Sequence, residues 1–279
     1  MTASLPLSGL AEIAARYEVV LFDQFGVLHD GHTAFSGARE AVAALKTAGV
    51  RTAVLSNSGR RAEDNAARLA TLGFERALFD AVLTSGEICR ARLAEDLAAG
   101  RLAAGTGVFV VPEGRRALPL DGLALTLAAK PEDAGVVLIA GREPAKATLE
   151  EDISRLMPLA RRGVACLCAN PDRIMYAGPD GQTAPGPGAL AQAYANTGAP
   201  VEMIGKPHPA IFRAALAALS DPKPARVLMV GDSPEHDIAG AKAVGCATLL
   251  ITSGVQGATP GEAIADFTLE RLCWQKEQA

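Results

Sequence analysis

The chain has 279 residues, of which 49 % are apolar, and carries a formal charge of −4 from 27 basic and 31 acidic side chains. Such a length and apolar share suffice for one large domain or two ordinary ones around a substantial core. Basic residues cluster only in short pairs, Arg60-Arg61, Arg115-Arg116 and Arg161-Arg162, which argues against nucleic acid as a partner. Residues 1–10 lack the basic region, apolar run and cleavage site of a secretory leader, and no apolar stretch reaches the roughly 20 residues of a membrane span. No membrane association and a cytoplasmic location are therefore expected.

In chain order, the first core strand is expected over residues 19–22, an unbroken apolar run of the kind buried on both faces in a parallel sheet. It leads into Asp23-Gln24-Phe25-Gly26-Val27-Leu28-His29-Asp30-Gly31, so a carboxylate stands at a strand tip, where open parallel sheets bind ligands. A second acid would be expected two positions on, and Phe25 stands there instead. Helical periodicity follows over 36–48, ended by Gly49, then a strand over 52–55 running into Ser56-Asn57-Ser58, then a helix over 62–72 ended by Gly73.

From about residue 84 to 197 the texture changes. Expected strands at 108–111, 135–140 and 164–169 are separated by loops rich in Gly, Pro and Asp, notably 177–188, which reads as an inserted α/β domain. Regular alternation then resumes with a helix at 210–220, a strand at 227–230, a helix at 237–244 ended by Gly245, and a strand at 247–251. Alternating strands and helices of this kind specify a parallel sheet with helices on its faces. The expected domains are 1–84 and 198–279 as one core and 85–197 as the insertion.

The five cysteines form no CxxC pair and have no histidines at zinc spacing, so reduced, buried thiols are expected. Cys166 and Cys168 alternate within one strand and should point to the same face. No GxGxxG or GxxxxGK[ST] motif is present, which removes the common dinucleotide and P-loop nucleotide sites.

Polar groups stand at four expected strand tips or adjoining loops: Asp23, Ser56-Asn57, Lys206, and Gly231-Asp232 with Asp237. Two carboxylates suit a hard divalent cation such as Mg²⁺, which completes its shell with water and phosphate oxygens. A serine hydroxyl, backbone amides and a lysine ammonium complement the same phosphate. Taken singly, each has a plainer reading: Ser56 as the cap of the helix near 62, Asp232 and Asp237 as helix caps, Arg60 and Arg61 as solvated charges.

In their order the four groups resemble the motifs of the haloacid dehalogenase-like (HAD) superfamily: Asp23 the first, Ser56 the second, Lys206 in Gly205-Lys206-Pro207 the third, and Val230-Gly231-Asp232-Ser233-Pro234-Glu235-His236-Asp237 the fourth. The 33 positions from Asp23 to Ser56 leave no room for a cap, whereas the 150 from Ser56 to Lys206 do. With Asn170-Pro171-Asp172 and Pro185-Gly186-Pro187-Gly188 ahead of the third motif, the arrangement resembles subclass IIA, which includes pyridoxal phosphate, phosphoglycolate and 4-nitrophenyl phosphate phosphatases. The resemblance implies a Rossmann-like, doubly wound parallel sheet with an inserted α/β cap between the second and third motifs.

It further implies a Mg²⁺-dependent phosphatase of a small phosphorylated metabolite. Asp23 would be the nucleophile that becomes an aspartyl phosphate. Asp23, the main-chain carbonyl of Phe25, and Asp232 would ligate the metal. Ser56, Asn57, Ser58, Arg60 and Lys206 would bind substrate, with Ser56 and Lys206 also serving catalysis. Asp237 would support Lys206 or the metal-bound waters. Caps of this family often dimerise, so a homodimer through the cap is an expectation. Phe25 departs from the family pattern, because the usual second aspartate protonates the leaving group and a phenyl ring does not. His29, Asp30, Glu235 or His236 would then replace that aspartate through a water, His29 having the most suitable intrinsic pKa, roughly 6.5; the plainer reading is that His29 closes the turn. A non-catalytic phospholigand-binding or regulatory module is the competing reading. Dehalogenation of 2-haloacids is a third, opposed by a cap that follows rather than precedes Ser56.

Overall fold

The computed structural model describes residues 4–112, 119–176, 182–254 and 264–275. Arg115-Arg116 and the 177–181 portion of the expected loop lie outside the described residues. The strands, in chain order, are β1 (Leu5–Pro6), β2 (Val19–Phe22), β3 (Arg51–Ser56), β4 (Ala81–Thr84), β5 (Gly107–Val111), β6 (Thr126–Leu127), β7 (Val136–Ile139), β8 (Ala165–Cys168), β9 (Ile174–Tyr176), β10 (Thr183–Pro185), β11 (Val201–Met203), β12 (Val227–Gly231), β13 (Ala247–Ile251) and β14 (Phe267–Leu269). The α-helices are α1 (Ala38–Thr47), α2 (Ala62–Thr71), α3 (Ser85–Ala98), α4 (Leu149–Arg161), α5 (Pro187–Ala195), α6 (Pro209–Ala218) and α7 (Ala239–Ala243).

The chain divides into two compact units: residues 1–56, 63–83 and 206–279 form the first, and residues 57–62 and 84–205 the second. The first holds a seven-stranded sheet in the order β1-β14-β13-β12-β2-β3-β4. From β2 the chain builds outward through β3 and β4, and later through β12, β13 and β14 on the other side, so the order reverses at β2. Loops leaving β2 and its neighbours at such a reversal open a crevice at the strands' carboxyl ends. All four residues of β2 are buried, and β12 is buried throughout, as an unbroken apolar run requires when both faces are covered. Phe22 pairs in parallel with Val54 and with Val230, which sets the following residues of three strands side by side.

The second unit holds a separate five-stranded parallel sheet, β11-β8-β7-β5-β6, and an antiparallel hairpin of β9 and β10. Cys166 and Cys168 lie in one buried apolar cluster with Leu156, Leu190 and Tyr194, as alternation within β8 demands. All five cysteines are unbridged; four are buried, whereas Cys273 is only half-buried, contrary to expectation.

These units differ from the expected domain limits at residues 57–62, 84 and 198–205. Residues 198–205 carry β11, which pairs with β8 and not with the larger sheet, and residues 57–62 group with the second unit although they directly follow β3. α5 also begins within the span 177–188 that reads as loop. Pro187 opens it, which is allowed because the first helical turn needs no bonded N–H at that position.

Candidate active site

The first unit holds five of the expected residues, Asp23, Ser56 and Asp232 at strand ends around the reversal and Lys206 and Asp237 beside them. Asp23 follows β2 directly, and its N–H donates to the Val230 carbonyl at 2.9 Å, extending the ladder with β12. Asp232 follows β12 directly, and Ser56 is the last residue of β3, buried at its tip. Lys206 is 2 % exposed, and its Nζ donates to Asp23 Oδ1 and to Asp237 Oδ1, both at 2.7 Å. Asp23, Asp232 and Asp237 present carboxylate oxygens within 4.8 Å of one another.

Three carboxylates and an ammonium thus lie together, with Asp232, Asp237 and Lys206 buried and Asp23 partly exposed. Burial raises the Asp23 carboxyl above its ordinary value, Lys206 pulls it down, and Asp237 pushes it up again. For Lys206, burial works against the charged form, but the two carboxylates outweigh it and hold the ammonium above its ordinary value. Asp237 is fully buried and has both oxygens engaged, Oδ1 by Lys206 and Oδ2 by the Ser233 N–H at 3.1 Å. Its place follows from Gly231, where a Cβ would lie 2.2 Å from the Asp237 Cβ. Asp237 enters on a π-helical turn, Pro234–Ile238, which Ser233 caps by accepting from the His236 N–H.

Asp232 is packed between two glycines. A Cβ on Gly26 would lie 2.1 Å from its Oδ2, and one on Gly254 would lie 2.2 Å from its Cβ. Gly26 also has a φ of +86°, a left-handed conformation that favours glycine. The loop from Gln24 to Gly31 therefore fits closely on the carboxylate of Asp232. It winds round the Gln24 carbonyl, which accepts from the N–H groups of Val27, Leu28 and His29 at 3.3, 2.8 and 3.2 Å.

Phe25 and His29 belong to this loop, their rings edge to face with centroids 6.1 Å apart. The imidazole is buried, and its Nδ1 accepts from the Gly31 N–H at 2.9 Å, which puts the neutral ring's proton on Nε2. Burial, with Arg68 adding to it, lowers the His29 pKa to about 4.

Asn57, Ser58 and Arg60 fall in the second unit. The Asn57 amide donates to Asp172 Oδ1 at 2.7 Å, while the Asp172 N–H donates to Asn170 Oδ1 at 3.0 Å. Asn170-Pro171-Asp172 is thus an Asx turn that also anchors Asn57. Glycines at 186 and 188 let the start of α5 close on this turn, with a Cβ on Gly188 only 2.0 Å from the Pro171 carbonyl oxygen. Arg61 is committed to Glu87 at 2.7 Å, whereas Arg60 is exposed and lends its carbonyl to Thr84 Oγ1. The sequence reading singled out Asn170-Pro171-Asp172 but missed Gln24 and Asn65, whose side chains pair at 2.9 Å. Asn65 did carry a signal, being a polar residue on the buried stripe of α2.

Comparison with known proteins follows the same outline. Residues 20–152 match the haloacid dehalogenase-like hydrolase family, and residues 203–273 match the HAD-hydrolase-like family. Chronophin of Mus musculus is 36 % identical over 92 % of this chain and 88 % of its own. A haloacid dehalogenase-like hydrolase from Brucella suis superposes with a TM-score of 0.83 at 29 % identity, over 95 % of this chain and 99 % of that one. Glycerol phosphate phosphatase from Mycobacterium tuberculosis, in complex with magnesium, superposes with a TM-score of 0.68 at 26 % identity, over 87 % of this chain and 70 % of that one. The chain therefore belongs to the haloacid dehalogenase-like hydrolases, in subclass IIA, and is a phosphoric monoester hydrolase of that family.

Proposed function

We propose that the protein hydrolyses a small phosphorylated metabolite through an aspartyl phosphate on Asp23, with Mg²⁺ as cofactor. The observation that carries this reading is the Lys206 ammonium held between Asp23 and Asp237, with Asp232 alongside. The donor set fits a hard dication: Asp23, Asp232 and Asp237 offer carboxylate oxygens within 4.8 Å of one another, the oxygen ligands that Mg²⁺ prefers. Asp23, Asp232 and the Phe25 main-chain carbonyl would hold it, since Asp237 has both oxygens engaged. When bound, the ion shields the repulsion between a carboxylate nucleophile and a phosphate dianion.

In this reading Asp23 attacks phosphorus, the Asp23 O–P bond forms, and the ester O–P bond breaks. Lys206 keeps Asp23 oriented and lends positive charge to the phosphoryl group, while Ser56, Asn57, Ser58 and Arg60 bind its remaining oxygens. The departing alkoxide needs a proton, and water must then lose one to attack the acyl phosphate. Phe25 serves neither need. We assign His29 to closing the turn, because its Nδ1 is taken by Gly31 and a pKa of about 4 makes it a weak base at neutral pH. The best substrates are therefore those with good leaving groups.

Support for a small phosphate ester also comes from the relatives named glycerol-3-phosphate phosphatase. Phosphate release from 4-nitrophenyl phosphate and from acyl phosphates, with Mg²⁺ and with Asp23→Asn as control, tests the reading. Release that survives in Asp23→Asn, or none from either substrate, contradicts it. Phe25 favours a second reading, a phospholigand-binding module without turnover. Tight ligand binding with no covalent phosphoenzyme would support that alternative. No helix among the described residues is long and apolar enough to cross a membrane. Cytoplasmic residence and a homodimer through the second unit remain part of the proposal.

A further inference from the structure

Only two residues of α2 are buried, Asn65 and Leu69, four apart on one face. Leu69 joins the apolar core of the first unit, as the helix stripe requires. Asn65 occupies the neighbouring place on that stripe, where an apolar residue would avoid the penalty of a buried amide. Its Nδ2 donates to Gln24 Oε1 at 2.9 Å, and Gln24 is itself buried. One turn along the same helix, Arg68 Nη2 donates to the Gly31 carbonyl at 2.9 Å. The helix thus grips the loop of residues 24–31 at both ends, once by a buried amide pair and once by an exposed guanidinium.

What lies between those two grips gives the contact its purpose. Phe25 supplies the main-chain carbonyl assigned above to the metal. Gly26 lies so close to Asp232 that a single added carbon would come within 2.1 Å of Oδ2. Gly31 bears on the Phe25 ring, where a Cβ would lie 3.1 Å from Cε2. Asp23, immediately before the loop, is already fixed by β12 and by Lys206. The loop has no such ladder of its own; Val27 and Leu28 anchor its middle in the apolar core, and the polar side chains that hold its two ends come from α2.

We propose that Asn65 and Arg68 are positioning residues for the metal centre, holding the 24–31 loop so that the Phe25 carbonyl and the Asp232 carboxylate keep one mutual geometry. This rests on the metal reading given above. Partners that orient ligands in this way typically account for roughly 10–100-fold in metal affinity. Neither residue touches the reacting atoms, so the effect reads out in ion binding before any turnover.

The test is Mn²⁺ binding to the substrate-free protein, followed by the electron paramagnetic resonance of the free ion, for wild type, Asn65→Leu, Arg68→Met and Val42→Ala. Val42→Ala opens a cavity on α1 in the core of the same unit, at a residue with no part in the polar anchors of the loop, and controls for general destabilisation. Asn65→Leu is expected to weaken Mn²⁺ binding by about 10-fold, and Val42→Ala to leave it unchanged. Arg68→Met removes a positive charge, which alone would tighten cation binding; the positioning role instead predicts weaker binding. It also keeps the test open should Asn65→Leu not fold, since Arg68 is exposed. Wild-type binding with both loop variants unchanged or tighter, or an equal loss in Val42→Ala, overturns the inference while leaving the metal reading intact. No binding by wild type overturns both.

Discussion

Lys206 Nζ donates to Asp23 Oδ1 at 2.7 Å across 183 positions of sequence, the lysine buried and the aspartate half-buried. An ammonium in such a place is stabilised only by its carboxylates, and they in turn depend on it. Lys206→Met should leave Asp23 and Asp237 as unneutralised neighbours, lowering unfolding free energy by about 3–5 kcal/mol and abolishing Asp23-dependent phosphate release. Urea unfolding of the metal-free protein measures the first effect. A Lys206→Met variant as stable as wild type would show that the pair is not a mutual dependence.

Phe25→Asp restores a carboxyl two residues after the nucleophile. For alkyl phosphates, whose leaving groups need a proton, kcat should rise on the order of 10²–10⁴-fold, with a much smaller gain for 4-nitrophenyl phosphate. Steady-state rates on both substrates check this. An equal gain on the two would mean that leaving-group protonation is not what the wild type lacks.

Gly26→Ala meets two obstacles, a φ of +86° and the Asp232 carboxylate 2.1 Å from the new carbon. Gly49→Ala meets only the first, since its φ is +77° and nothing lies within 4 Å. Backbone strain alone costs about 1–2 kcal/mol. Gly49→Ala should therefore lose about that much stability and keep its activity, whereas Gly26→Ala should lose more and lose phosphate release as well. Equal behaviour of the two in denaturation and activity assays would remove the close approach to Asp232 from the account.

His29 gives a pH signature. The unfolded chain takes up a proton near the ordinary histidine pKa of 6.5, but burial and Arg68 delay uptake in the folded protein to about pH 4. Stability is therefore full above about 6.5 and falls as the pH drops towards 4, by a total on the order of 3 kcal/mol. Urea midpoints at pH 7.5 and 4.5 should differ more in wild type than in His29→Gln. The same difference in both proteins would assign the pH dependence to other groups.

Much of the core was legible in sequence because unbroken apolar runs have one stable use, a strand buried on both faces. β2 and β13 have the expected limits, and β3 and β12 differ only at their ends. Asp23, Lys206, Asp232 and Asp237 were found from strand tips and motif order, and they converge in space. Helix α3 was not anticipated, because its charged residues are scattered and its start, Ser85-Gly86, reads as a turn. In the structure Thr84 caps that helix by accepting from the Glu87 N–H at 3.0 Å. The grouping of residues 57–62 with the second unit was equally invisible, since their partners there, Thr84, Gly86, Glu87 and Asp172, lie further along the chain. Asn65 shows the general limit: a polar residue on a buried stripe signals a partner, but periodicity does not say which one.

The most direct test of the central claim is covalent. Wild-type enzyme mixed with Mg²⁺ and acetyl phosphate, quenched in acid and digested for mass spectrometry, should carry a phosphoryl group on the peptide containing Asp23, and Asp23→Asn should carry none. Turnover of acetyl phosphate with no phosphorylated Asp23 peptide under rapid quenching, or the same label in Asp23→Asn, would contradict it.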